Sequence, residues 1–291
     1  MAVTLPVKEE QAKKETGFNL FDTLTPMNLL PKQPIRLLIQ GPPGEGKTWA
    51  ALTFPNPIIR NFDNKLTGYK EAHPDSKINT VIFDEKLCVE QLKCSNMGFG
   101  KPNNPAMPLN IRDAAKKWLQ VFGPQLTPDM TLIDDSWTSL QNRFDLQSQL
   151  PHEISYSRSG EEDKFAFWRL KQKYSAEMTE LYKALKCNVV VICHEVRERN
   201  EDGNLTGKLK PLMQGGFADQ LAGQFTDCYR QVCLTPDMKD LATYEKQLGR
   251  KINGEREYVW QTKSNALFTA CVSVPGLKDL VPANYSSLIK T

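Results

Sequence analysis

The 291-residue chain is predicted to fold as an α/β domain, with a mainly parallel sheet flanked by helices. Three observations carry this expectation. An apolar run of strand length, residues 35–40, breaks at Gly41 into G-x-x-x-x-G-K-T and continues as helix-compatible sequence, the strand–loop–helix setting that a phosphate-binding loop requires. Further apolar runs at 57–62, 79–83 and 130–135 alternate with helical patterns, as βα units do. The stretch NVVVIC at 188–193 is rich in β-branched apolar residues, as a strand buried on both faces should be.

Taken in order, residues 1–17 are Lys/Glu-rich and lack periodicity, which predicts a mobile tail ahead of a single domain over 18–291. Residues 18–30 are apolar enough to pack against that domain and deliver the chain to its first strand. The helix after the loop is expected to close before Pro55, because proline cannot continue a helix interior. Gly, Pro, Asn and Met crowd residues 88–110, an irregular insertion. Apolar residues at Ile111, Ala114, Ala115, Trp118, Leu119 and Phe122 keep the spacing of an amphipathic helix. A helix over 136–150 takes Ser136 as its N-cap, and a longer one spans 165–186. Arms around Asn200-Glu201-Asp202-Gly203 signal a hairpin. A short helix to Gln224, a strand at 227–234 and a hairpin-like pair between Tyr244 and 257–263 follow, so the sheet should finish with antiparallel strands. Residues 244–291 are read as a C-terminal hairpin and tail.

With 40% hydrophobic and 24% charged residues, the composition is that of an ordinary globular protein rather than a disordered one. No apolar run approaches the ~20 residues that span a bilayer, and the first residues lack a hydrophobic signal region. A cytoplasmic protein with no membrane partner is expected. Seven cysteines contain no C-x-x-C pair, which argues against both a disulfide framework and a zinc site. The net charge of +3 is too small to indicate nucleic acid, so that case rests on local patches.

The loop chemistry is specific. Gly41, Pro42, Pro43, Gly44, Glu45, Gly46, Lys47, Thr48 and Trp49 form the candidate nucleotide-binding set. Glycines let backbone N–H groups turn inward, where they and the positive end of the next helix wrap an anion. Lys47 is expected to reach the β- and γ-phosphates, and Thr48 to place its hydroxyl on Mg²⁺. The run MTLIDD ends in Asp134 and Asp135, an acidic strand end of the kind that holds Mg²⁺ or polarises an attacking water.

Gly41 to Thr48, LIDDSWTSL, VICHE and PLMQGGFADQLAGQFTDCYRQV together resemble the RecA-like ATPase core. At finer grain the chain is similar to phage-encoded nucleotide-binding proteins of that superfamily, some of which act as single-strand annealing proteins in recombination. The resemblance covers roughly residues 35–265. It implies ATP and Mg²⁺ as ligands, makes Asp135 the magnesium-side carboxylate and leaves Asp134 as a water-polarising base. His194 takes the place of a γ-phosphate sensor, and Lys263 that of a cation reaching a neighbouring subunit's ATP. Where such enzymes carry a catalytic Glu two residues past a strand-ending Asp, this chain has Lys65, so Asp134, Asp84 or Glu85 must supply the base or hydrolysis is slow. DNA-binding loops fall at 154–164, with Arg158, Tyr156 and Phe165, and at 197–210, with Arg197, Arg199, Lys208 and Lys210. The implied activity is a homo-oligomeric ATPase acting on single-stranded DNA in the host cytoplasm, alongside a single-strand-binding or replication protein. The alternatives are an assembly or helicase-loader ATPase without DNA contact, and a small-molecule kinase using Arg158, Arg169, Arg197 and Arg199.

Overall fold

The computed structural model describes residues 33–63, 65–76, 78–82, 111–148, 166–200, 202–213 and 217–289. The expectations for the tail 1–17, the segment 18–30, the insertion 88–110, Asp84, Glu85 and the loop 154–164 with Arg158 lie outside the described residues. The elements below belong to the unit Pro34–Thr291.

Nine strands form one sheet: β1 (Arg36–Gly41), β2 (Pro57–Asn61), β3 (Asn79–Ile82), β4 (Thr131–Asp135), β5 (Asn188–Arg199), β6 (Leu205–Pro211), β7 (Asp227–Leu234), β8 (Glu257–Gln261) and β9 (Leu280–Pro282). Their order is β3-β2-β4-β5-β1-β7-β8-β9, with β6 paired to the outer part of β5. The first six of that path are parallel neighbours, while β6, β8 and β9 are antiparallel. The predicted fold class, a mainly parallel sheet with antiparallel strands toward the C-terminus, is therefore the observed one.

The helices are α1 (Lys47–Ala51), α2 (Thr67–Ala72), α3 (Ile111–Phe122), α4 (Trp137–Ser148), α5 (Ala166–Ala184), α6 (Phe217–Leu221), α7 (Leu241–Leu248) and α8 (Ser286–Ile289). They cover both faces of the sheet. Successive strand residues point to opposite faces, so Leu38, Leu132, Val189 and Val191 pack with Trp118, Trp137, Met178 and Tyr182 from α3, α4 and α5. Leu37, Ile39, Ile133, Val190 and Ile192 pack on the other face with Ala50, Ala51, Trp260 and Leu288. Both faces of the central strands are thus buried, which is why they read as continuous apolar runs.

Three expectations are corrected. The strand expected to end at His194 runs on to Arg199, because its outer half gains β6 as an antiparallel partner. Strand β7 joins β1 in parallel, so the antiparallel finish begins only at β8. Residues around Tyr244 form α7 rather than a hairpin arm; they pack Leu241, Tyr244 and Leu248 on Val232, Leu234 and Val259, a spacing of three and four residues that suits one helical side. The helix closes at Gly249, whose φ of 71° is the left-handed C-cap that glycine adopts at least cost.

Candidate functional site

Strand β1 delivers the chain to the loop at the sheet's carboxyl end, where ligands of open α/β sheets bind. Gly46 sits at φ 71°, and a Cβ there would come within 2.7 Å of the Tyr258 ring. Only glycine meets both conditions. The loop is braced from β7: Gln231 Nε2 donates to the Glu45 carbonyl at 2.7 Å, and the Cys233 N–H donates to the Glu45 carboxylate. Gln231 in turn accepts from Trp260 Nε1 at 2.9 Å. Burial raises the Glu45 carboxyl above its ordinary range.

Lys47 is buried and donates to the carbonyls of Gly41 and Pro42 at 2.9 and 2.6 Å, so its charge already lies within the cradle. Burial lowers its pKa to about 8, against the opposing pull of Asp135 and other nearby acids. Thr48 Oγ1 donates to Asp135 Oδ2 at 2.7 Å. Burial raises Asp135 to about 6, an effect the Thr48 hydrogen bond only partly offsets.

The two adjacent aspartates part company here. Asp135 shares the face of Ile133 and meets the loop, whereas Asp134 shares the face of Leu132. There Asp134 accepts from Arg60 Nε at 2.6 Å and from Arg60 Nη2, and the Tyr182 hydroxyl also donates to it. Asp134 and Arg60 are both fully buried, and Arg60 also donates to the Ala115 carbonyl at 2.8 Å. Burial opposes the charge on Arg60, but Asp134 outweighs it and raises the guanidinium pKa. The reading of Asp134 as a water-polarising base is therefore corrected: its side chain serves an ion pair on the opposite side of the sheet from Lys47.

A carboxylate not chosen from the sequence reaches the loop cavity instead. Asp63, just past β2, shares a cavity of about 410 Å³ with Gly44, Gly46, Lys47, Thr48, Trp49, Asp135 and His194. Ser136 Oγ donates to Asp63 Oδ1 at 2.9 Å and accepts the Ser139 N–H at 3.3 Å, the N-cap role expected of it. His194 Nε2 lies 3.8 Å from Asp63 Oδ2, and Lys65 Nζ lies 3.6 Å from the same oxygen. Burial alone raises an acid, yet the neighbouring His194, Ser139 and Ser136 side chains outweigh it and hold Asp63 well below the usual carboxylate range. His194 Nδ1 is buried without a hydrogen-bond partner among the described residues. The usable signal in the sequence was a carboxylate at the carboxyl end of the strand beside the acidic one.

Trp49 is exposed on α1, with its ring centroid 5.1 Å from Tyr69 and 4.9 Å from His73. Lys263 is away from this cavity and pairs with Asp279 at 3.3 Å, both exposed. In the β5–β6 hairpin, Lys210 pairs with Glu198 and Arg199 donates to the Gly203 carbonyl at 2.8 Å. Arg197 and Lys208 are exposed.

The residues present fit Mg²⁺ and a nucleoside triphosphate. Mg²⁺ is usually held by one or two carboxylates plus substrate phosphates rather than by a protein cage. Among the described residues there is no cluster of three or more metal-ligating side chains, while Thr48 and Asp135 already face each other beside the loop.

A family model described as AAA domain matches residues 33–265. The chain belongs to the AAA domain family. This AAA domain finds no match among curated proteins. Among solved structures it is similar to the RadB recombinase, at 13% identity and a TM-score of 0.37, over 79% of this chain and 89% of that one. It is also similar to a prototypical ATPase from the type III secretion system of pathogenic bacteria, at 14% identity and a TM-score of 0.36 over 73% of this chain. It spans 53% of that ATPase's length. No helix among the described residues of this AAA domain is long and apolar enough to cross a membrane.

Proposed function

We propose that this AAA domain is a Mg²⁺-dependent ATPase of the RecA-like kind that acts, as a homo-oligomer, on single-stranded DNA in phage recombination or replication. The ATPase reading rests on one observation above all: Lys47, Thr48, Asp135, Asp63 and His194 line a single cavity. Backbone N–H groups of the loop and the Lys47 ammonium hold the phosphates, as oriented dipoles and a buried cation do for anions. Thr48 and Asp135 hold Mg²⁺, which supplies positive charge to the phosphate oxygens.

Asp63 orients the attacking water and accepts its proton, and His194 positions Asp63. A carboxylate held so far down is a weak base. Intrinsic turnover is accordingly slow, and the nucleotide serves partly as a switch. Lys263 reaches a neighbouring subunit's nucleotide as a transition-state cation.

The DNA reading rests on the hairpin, whose Arg197 and Lys208 have no ion-pair partner among the described residues. A protein-directed assembly or loader ATPase is the second reading. It is favoured by the engagement of the other two hairpin cations, Lys210 with Glu198 and Arg199 with the Gly203 carbonyl.

The test is ATP turnover with and without single-stranded DNA, for the natural chain and for Asp63→Asn. Stimulation by DNA, with Asp63→Asn binding ATP normally but turning over at least tenfold more slowly, is expected. No DNA response and no oligonucleotide binding at ~50 mM salt, where phosphate contacts are strongest, refutes the DNA part. Unchanged turnover in Asp63→Asn refutes the assignment of the base.

A further inference from the structure

On the far side of β1 from Lys47 lies a second polar cavity, of about 560 Å³. It is lined by the β5–β6 hairpin, α6 and the loop 265–269 and opens to solvent. Gln40 forms its inner wall. This residue shares the face of Leu38 by strand alternation, is only 2% exposed and immediately precedes Gly41 of the phosphate loop. Its side-chain amide makes no hydrogen bond to another described residue and opens on the cavity. An amide that meets its partner in the cavity rather than in the protein is matched there by water or by a ligand, so Gln40 aimed into the cavity marks a place for a ligand.

The other walls say what kind. Asn265 Oδ1 is occupied by the N–H groups of Leu267 and Phe268 at 2.8 and 2.9 Å, which leaves its NH₂ as a second free amide donor. Phe268, Leu209 and Leu267 supply apolar surface, and Lys208 and Lys210 stand at the hairpin side. Glu198 pairs with Lys210 and also feels the Lys208 charge, but Lys208 is exposed and makes no direct ion pair among the described residues, so it is the cation that can meet an incoming phosphate.

We propose that this cavity takes one base of a single-stranded nucleic acid, read on its edge by the Gln40 amide and flanked by Asn265, with the strand's phosphates passing Lys208. The site rests on the DNA reading above and deepens it. An amide presents a donor and an acceptor side by side, the pattern that pairs with base edges. Because Gln40 is bonded directly to Gly41, a base seated there touches the residue next to the start of the phosphate loop. Occupancy of either site then alters affinity at the other, by the reciprocity of linkage.

The experiment measures binding of a fluorescent (dT)₂₀ strand and of the same strand with abasic residues, by the natural chain and by Gln40→Leu, with ATP binding followed in parallel. For the natural chain, removing the bases should weaken binding roughly tenfold or more, the scale of a good bidentate amide–base pair. Gln40→Leu should lose a similar factor on (dT)₂₀ and little on the abasic strand, with ATP affinity within twofold. Equal affinity of the natural chain for both strands overturns the site without any variant. Equal loss by Gln40→Leu on both strands overturns it too. Absence of any strand binding by the natural chain overturns the site and the DNA reading together, and normal ATP binding then leaves the ATPase reading standing.

Discussion

Asp134→Asn and Asp135→Asn, substitutions of neighbouring and chemically identical residues, should change the stability of the nucleotide-free protein in opposite directions. Asp134 neutralises Arg60 where neither side chain is exposed. A neutral amide in its place would leave the Arg60 charge uncompensated between Phe62, Trp118 and Tyr182, whose ring centroids lie 5.5, 5.5 and 6.0 Å from the guanidinium. Breaking one partner of a buried pair costs about 3–5 kcal/mol, and with about 2–4 °C of melting temperature per kcal/mol in a domain of this size, roughly 6–20 °C. Asp135 is the reverse case. Its pKa is pushed up to about 6, against about 4 for an ordinary aspartate, so holding it ionised at pH 7.5 costs about 3 kcal/mol at 1.36 kcal/mol per unit. The Asp135→Asn amide carries no such cost and still accepts the Thr48 hydrogen bond.

The pH dependence follows in sign. A carboxyl whose folded pKa is raised binds its proton more tightly in the folded state, so its penalty is present above about 6 and vanishes below the unfolded value near 4. The advantage of Asp135→Asn over the natural chain should therefore shrink from about 3 kcal/mol at pH 7.5 toward zero at about pH 4. Urea denaturation in EDTA without nucleotide measures both effects. With Mg·ATP at about 100 Kd the natural chain should gain about 2.7 kcal/mol, and Asp135→Asn much less. Destabilisation of the metal-free protein by both substitutions to the same extent would refute the assignment of the two aspartates to opposite faces.

Two other outcomes are expected. Gly46→Ala combines a φ of 71° with a 2.7 Å approach to Tyr258, a backbone strain of about 1–2 kcal/mol before the clash is counted. ATP affinity by calorimetry should fall at least tenfold, and Gly46→Ala with Tyr258→Ala should recover only the clash; full recovery would show that the backbone is unstrained. Mixed oligomers of Lys263→Ala and Lys47→Ala subunits should regain part of the hydrolysis that each lacks alone, and no rescue in an oligomer that still forms counts against Lys263 acting across subunits.

What the sequence determined by itself was local. The G-x-x-x-x-G-K-T spacing, the apolar strand runs and the helix spacing of Ala114, Ala115, Trp118 and Leu119 are properties of neighbouring residues, and the structure carries each of them. The arms of the β5–β6 hairpin were legible, but the continuity of β5 through His194 and the helix around Tyr244 were not, since the first depends on one strand serving both the parallel sheet and the hairpin and the second on packing against the β7–β8 surface. Asp134 and Asp135 mark the limit most sharply. Alternation along a strand dictates that the two side chains point to opposite faces. Which face carries the phosphate loop, and which the Arg60 guanidinium, is decided only when α1 packs on one side of the sheet and α3, α4 and α5 on the other. The same packing brings Asp63, His194 and Ser136 together from three separate elements, and it leaves the Gln40 amide facing an open cavity, arrangements that no spacing in the chain encodes.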